Sequence, residues 1–214
     1  MRIACINPGS SSLKLSVLDG EQLVFERSIE AQDADSDLSE ALSAQPDAVA
    51  VRVVHGGPKF ITATVVDDTV LDQLEEVSSL APLQNPPALR ALRMVRRLQP
   101  SMPLVACFDT AFHATIPDAA AIYPVPAAWT ERWGLRRYGF HGLSHAYASR
   151  RAIEMVGRPL ARVITCHLGA GASICAISEG RSVDTSMGFT PMEGVMMATR
   201  SGSVDPGLIL WVLR

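Results

Sequence analysis

Apolar and polar positions follow one design at two places along the chain. Ile3–Ile6 is a continuous apolar run, Asn7–Ser12 a tight polar turn, and Leu13–Leu18 an alternating run. That is the pattern of two strands joined by a short bend. Val163–Gly180 repeats it, with an apolar run, a glycine-rich turn, a second apolar run and an acidic residue followed by glycine. Cys5 aligns with Cys166, and Asp19-Gly20 with Glu179-Gly180, offset by one residue. Two such units in one chain predict two related half-domains.

Between and after them the pattern changes period. Leu23–Ile29 reads as a third strand, and polar Gln32–Gln45 as loop plus a short helix. Ala48–Val54 is apolar apart from Arg52 and closes at His55-Gly56-Gly57, while Ile61–Val66 alternates as a strand. Leu71–Leu80 has helical spacing. Asn85-Pro86-Pro87 opens a further helix, asparagine capping it, with Leu89, Leu92, Val95 and Leu98 on its buried face. Pro103–Phe108 is a short strand ending at Asp109-Thr110. Ser144 caps a helix to Met155 that stops at Gly157. Ser182–Asp205 has few strand signals and reads as a site loop, and Leu208–Arg214 as the start of an apolar helix. Strands alternating with helices predict an α/β fold.

Composition narrows the class. The 214 residues, 48% hydrophobic and 19% charged, suit a globular chain of one or two domains. A net charge of −3 gives no sign of a nucleic-acid or membrane surface. No apolar run approaches the roughly 20 residues of a membrane span. Cys5, Cys107, Cys166 and Cys175 lie in strand-like runs without a CxxC or Cys/His cluster, predicting buried free thiols and a cytoplasmic location.

Several positions carry candidate chemistry. In Asn7–Ser12, Pro8 fixes one dihedral, Gly9 permits a positive one, and three serines crowd hydroxyls and amides together, with Lys14 beyond. Oriented amides of this kind can hold phosphate, although an ordinary hairpin turn has the same composition. Arg52 inside an apolar strand is either paired to a structural carboxylate or kept for a ligand. Asp109, at the carboxyl end of a strand, faces the usual ligand side of an α/β sheet or else caps Thr110–Thr115. His141, flanked by Gly139 and Gly142, has little room as a packed core residue. There is no GxxxxGK[ST], HExxH or GxSxG, and Ile174 stands where GxGxxG needs its third glycine.

Seven segments, in order, resemble the acetate kinase family: NPGSSSLK (7–14), RVVHGG (52–57), LAPLQNPP (80–87), FDTAFH (108–113), RYGFHGLSH (137–145), HLGAGAS (167–173) and DTSMGFTPMEGVMMATRSG (184–202). The resemblance implies the duplicated ribonuclease-H-like fold shared with actin, sugar kinases and heat-shock ATPases. Its first domain would span 1–148, and a nucleotide-binding second domain would begin at 149–214 and be truncated. It implies reversible transfer of the ATP γ-phosphoryl group to acetate, giving acetyl phosphate and ADP, with Mg²⁺ or Mn²⁺, in a homodimer. Carried over by position, Asn7 matches the metal site and Ser10, Ser12 and Lys14 ATP-binding positions. Arg52 matches the carboxylate-binding arginine, and Asp109, His141 and Arg200 the catalytic residues. His167, Leu168, Gly169, Ala170 and Gly171 match the phosphate-holding turn, and Val54, Leu83, Phe140 and Pro191 the methyl pocket.

The residue types suit that chemistry. A carboxylate with a pKa of about 4 to 5 is already ionised at neutral pH, so positioning and charge stabilisation matter more than a base. Guanidinium groups at 52 and 200 bind oxyanions and stay charged. Asp109 is expected to orient Arg200 or a metal-bound water more than to move a proton. Three positions depart from the family pattern: Gln84 for histidine, Ala170 for asparagine and Ser203 for aspartate. Family members are roughly twice as long, so this species is expected to bind ATP poorly and turn over little. A propionate kinase and a non-catalytic chain that binds a carboxylate or a partner are the other two readings.

Overall fold

A computed structural model of the chain describes residues 1–9, 12–30 and 34–214, and its contacts divide it into two compact units, Met1–Ala111 and Phe112–Arg214.

In the first unit β1 (Arg2–Pro8), β2 (Ser12–Asp19) and β3 (Gln22–Glu30) form an antiparallel meander. Strands β4 (Ala48–Val53) and β6 (Leu104–Phe108) run parallel to β1, and the two-residue β5 (Thr64–Val65) closes the order β3-β2-β1-β4-β6-β5. Alternation fixes which side is buried. Ala4, Ile6, Leu15, Val17, Val49, Val51, Val53, Leu104, Ala106 and Phe108 enter a core with Leu38, Leu89, Leu92 and Val95. These last four come from α1 (Ala34–Ser43) and α3 (Asn85–Leu98), while α2 (Asp68–Glu76) adds Leu71 and Leu74. Intervening positions, Cys5 and Asn7 on β1 and Arg52 on β4, take the other face. Each buried aliphatic side chain contributes about 1.5–3 kcal/mol. The three valines of β4 supply this burial on one face, while Arg52 between them is 31% exposed and paired on the other.

The second unit opens with a 3₁₀ turn (Ala111–Thr115) that crosses the division. It continues through α4 (Asp118–Ala121), α5 (Ala127–Trp133), α6 (Gly142–Val156), the antiparallel strands β7 (Arg162–Leu168), β8 (Ala172–Ser178) and β9 (Arg181–Thr185), and α7 (Pro206–Val212). The sheet order β7-β8-β9 repeats the β1-β2-β3 meander, so the duplication expected from sequence is present in strand order. The offset of one residue also has a cause. In the first hairpin Pro8 pairs with Leu13 around Gly9 to Ser12, and in the second Leu168 pairs with Ala172 around Gly169 to Gly171. The second bend is one residue shorter. Both are pinned alike, Gly9 N–H donating to Ser12 O at 2.7 Å and Gly169 N–H to Gly171 O at 3.0 Å.

Among the described residues no strand flanks the outer side of β7, where Ile164 and Leu168 are 73% and 78% exposed, and α7 is exposed throughout.

Several expectations need correction. The strand over Ile61–Val66 contracts to β5. Asn85 does not cap α3; it is the first helical residue, buried, and the cap position is Gln84 without a side-chain bond. Ser144 lies inside the first turn of α6, whose cap position is His141 in the left-handed region at φ 58°. Ser182 belongs to β9 and not to a loop, and α4 and α5 had no counterpart in the pattern. All four cysteines are free, but Cys166 is exposed. The start of the polar Gln32–Gln45 segment falls outside the described residues. No helix is long and apolar enough to cross a membrane.

Candidate active site

Three strand ends in the first unit bring Asn7, Arg52 and Asp109 together. Asn7 is near the end of β1, Arg52 near the end of β4, and Asp109 follows β6 directly, its N–H donating to Val53 O at 3.0 Å. Arg52 donates from Nε to Asp109 Oδ1 at 3.0 Å, from Nη2 to Oδ2 at 2.5 Å, and from Nη1 to Asn7 Oδ1 at 2.9 Å. Burial would lower the arginine's pKa, but the hydrogen bonds and charge of Asp109 outweigh it and raise it. The planar fork uses three of its five N–H groups on protein and keeps two for another oxyanion. Asp109 therefore orients Arg52, and both its carboxylate oxygens are taken by that guanidinium and not by a helix end.

The loop after β4 is locked from behind. Asn85 Oδ1 accepts from His55 N–H at 3.1 Å and its Nδ2 donates to His55 O at 2.9 Å. Thr110 Oγ1 accepts from Gly56 N–H at 3.1 Å, and a side chain at Gly56 would sit 2.4 Å from Phe60 O. Lys14 is the strand partner of Asn7 and exposed, Ser12 is half-buried, and Ser10 lies outside the described residues. Val54 is half-buried beside Arg52, whereas Leu83 is 72% exposed.

In the second unit His113, His141, His145 and His167 cluster under the β7–β8 bend. The rings of His141 and His167 stack with centroids 4.0 Å apart, and His145 meets His113 and His167 edge-on. Hydroxyls hold them: His141 Nδ1 to Ser173 Oγ at 2.9 Å, His145 Nε2 to Ser173 Oγ and Nδ1 to Thr165 Oγ1 at 2.7 Å each, and His167 Nδ1 to Ser144 Oγ at 2.9 Å. Burial first, then the three neighbouring histidines, push the pKa of His145 down to about 3.

Arg200 approaches the same bend. A Cβ on Gly171 would stand 2.5 Å from Arg200 Nη2 and 3.5 Å from His141 Nε2. Arg200 Nη1 is anchored on Pro191 O at 2.6 Å, and Ala198 N–H donates to Ala170 O at 3.1 Å. His141, Gly171 and Arg200 thus form a corner that glycine keeps open. Leu168 is exposed at the entrance to the bend and Phe140 is buried, its carbonyl bound to His113 Nε2 at 3.0 Å. The loop carrying Arg200 is braced by Arg137, which donates to Glu193 Oε1 at 2.9 Å and to the carbonyls of Thr185, Ser186 and Met187. The Tyr123 hydroxyl closes on Glu193 Oε2, and burial with that contact pushes the phenol up to about 12. Ser203 at the foot of the loop takes Gly194 N–H on its hydroxyl at 3.0 Å.

No group of three His, Cys, Asp or Glu suited to a metal exists among the described residues. The hard oxygens near Arg52, on Asn7 and Asp109, already accept its hydrogen bonds, so a bare divalent cation would compete with a guanidinium there. Mg²⁺ keeps most of its waters and needs few protein ligands, so these oxygens fit a hydrated ion, held through water.

Sequence reasoning passed over Ser173, His145, Thr165, Tyr123 and Glu193. The i, i+4 spacing of His141, at the cap of α6, and His145, in its first turn, was an available signal; the hydroxyl partners, on other strands, had none.

Comparison with known proteins comes down on one side. A model of the acetokinase family matches residues 28–214. Acetate kinase of Caldanaerobacter subterraneus is 52% identical over 170 residues, covering 78% of this chain and 42% of that protein, and that of Halothermothrix orenii is 53% identical over 169. A propionate kinase from Francisella tularensis superposes with TM-score 0.91 at 33% identity, covering 99% of this chain and 63% of the other. Porphyromonas gingivalis acetate kinase gives 0.89 at 34%, with the same coverage. The matched segment of the chain thus spans about two-fifths of the length of these curated relatives.

Proposed function

The chain belongs to the acetokinase family, and from that premise we propose that the protein transfers the γ-phosphoryl group of ATP to acetate, reversibly, giving acetyl phosphate and ADP. The observation that carries the reading is Arg52: a guanidinium held rigid by Asp109 and Asn7 at the carboxyl ends of parallel strands, with two N–H groups left for a carboxylate. On this reading residues 1–148 and 149–214 are the two related domains, the second represented by its first strands.

The acceptor carboxylate docks on Arg52 and is already ionised, so no base is needed. Val54, Leu83, Phe140 and Pro191 are assigned to its methyl group. Asp109 acts by fixing the arginine's plane. Ser10, Ser12, Lys14 and the bend His167–Gly171 are assigned to the phosphates. Arg200 and His141 place donors at the Gly171 corner, where charge on the equatorial oxygens of the moving phosphoryl group is stabilised. Mg²⁺, held through water by Asn7 and Asp109, would neutralise phosphate charge. A homodimer in the cytoplasm completes the assignment.

The likeness to a propionate kinase supports a second acceptor, with one more methylene to house. Both are tested with ATP, Mg²⁺ and either acid, trapping the acyl phosphate with hydroxylamine. We expect slow acetyl hydroxamate formation, faster than with propionate and lost in Arg52→Ala, together with saturable acetate-dependent NMR shifts at the Arg52 Nε–H. Absence of both an acetate-dependent product and an acetate-dependent shift would overturn the reading.

A further inference from the structure

We infer that Ser173 and His145 are positioning residues that hold His141 as a neutral imidazole with its proton on Nε2, turned toward the Gly171–Arg200 corner.

The inference follows from counting protons. Ser173 is fully buried, and its one hydroxyl lies 2.9 Å from His141 Nδ1 and 2.7 Å from His145 Nε2, with no other hydrogen-bond partner among the described residues. A hydroxyl has a single proton, so one of these nitrogens donates to the oxygen and the other accepts from it. Two neutral arrangements result. In the first, His141 donates from Nδ1, Ser173 donates to His145 Nε2, and His145 carries its proton on Nδ1, facing the Thr165 hydroxyl. In the second, Thr165 donates to His145 Nδ1, His145 donates from Nε2 to Ser173, and Ser173 donates to His141 Nδ1. His141 then carries its proton on Nε2.

Thr165 decides between them. It is buried, and its hydroxyl has no hydrogen-bond partner among the described residues except His145 Nδ1, at 2.7 Å. The first arrangement leaves that O–H proton without an acceptor inside the protein, at a cost of about 1–3 kcal/mol for a buried donor, and the second satisfies it. The second also keeps both imidazoles in the Nε2–H form that histidine prefers in water. His113, His167 and Arg200 stand beside the pair.

The outcome is a corner with donors only. His141 Nε2–H and Arg200 Nη2 converge beside Gly171, which suits an anionic oxygen and no cation. Calling that oxygen a phosphoryl oxygen rests on the proposed function; the position of the proton does not.

The test is a long-range ¹H–¹⁵N correlation spectrum of the ring nitrogens in the ¹⁵N-histidine-labelled 214-residue chain at neutral pH. His141 and His145 are both expected to show a protonated Nε2 and a bare Nδ1. Ser173→Ala should collapse the His141 pattern toward an average of two tautomers, and Ser173→Thr should restore it. If Ser173→Ala does not fold, Thr165→Val probes the far end of the chain and should release His145 in the same way. A protonated Nδ1 on His141 in the unsubstituted chain overturns the proposal, as does a His141 pattern indifferent to Ser173→Ala. Neither result bears on acetyl hydroxamate formation, so the two readings fail separately.

Discussion

Arg52 and Asp109 meet through two parallel hydrogen bonds, yet only the arginine reaches solvent: the side chains are 31% and 2% exposed. Removing one partner is therefore not equivalent to removing the other. Arg52→Ala leaves a buried carboxylate unpaired and should cost about 3 kcal/mol, whereas after Asp109→Ala the arginine turns to water and the cost falls to about 1–2 kcal/mol. The double variant should cost less than the sum. Urea unfolding of the three variants measures this, and equal single costs would mean that the carboxylate is better solvated than its position indicates.

Asn85 grips the backbone of His55 from both sides. Asn85→Ala removes two buried hydrogen bonds and should lower stability by about 2–3 kcal/mol. Asn85→Asp keeps the acceptor but sets a charge against His55 O and should do no better. Thermal unfolding checks both.

Two glycines separate a folding requirement from a binding one. Gly139, at φ +69°, has His113 Cδ2 2.7 Å and Thr185 Cγ2 2.6 Å from where a Cβ would stand. Gly139→Ala should cost well over 2 kcal/mol, because a packed ring must shift. At Gly171 the nearest atom is the mobile end of Arg200. Gly171→Ala should change stability by less than about 1 kcal/mol and, on the proposed function, weaken ATP binding at least several-fold. Calorimetry on both variants reads the contrast.

His145 gives stability a pH dependence of known sign. Its folded pKa of about 3 lies below the ordinary 6.5, so the unfolded chain binds the extra proton between those values. Stability is full above pH 6.5 and declines as pH falls toward 3, by about 2–3 kcal/mol at pH 4.5. Urea midpoints at pH 7 and 4.5 should differ by less in His145→Gln than in the unsubstituted chain.

The Tyr123–Glu193–Arg137 brace predicts where the loop after β9 loosens. Tyr123→Phe keeps the ring but loses the bonds to Glu193 and to Phe189 N–H, the latter at 2.8 Å. Limited proteolysis near the exposed Met192 and Met196 should accelerate several-fold, with little change in global stability.

How much of this was legible beforehand depended on distance along the chain. The strand β2 could be read from its alternation and β1, β4 and β6 from short apolar runs closed by turn residues, and the repeat because both hairpins share one order of runs and bend. Arg52 and Asp109 were visible as oddities, a charge inside an apolar strand and a carboxylate at a strand end. That they satisfy each other was not, since the pairing spans 57 positions. Asn85 shows the limit of a local rule: a cap signature is spelled correctly, but a buried loop offered its side chain two better partners than the helix end. Ser144 failed likewise, its hydroxyl taken by His167 on β7. The short α4 and α5 lie in a stretch whose apolar residues follow neither period.

The bare flank of β7 has a consequence for handling the molecule. In the first unit the matching flank of β1 is taken by β4, whereas among the described residues no strand takes the row of amide and carbonyl groups on β7, fringed by Ile164 and Leu168. Protein concentration thereby becomes a variable of the fold itself: dilute samples should stay dispersed, and crowded ones should knit along that flank into oligomers that a single lysine at position 164 would discourage.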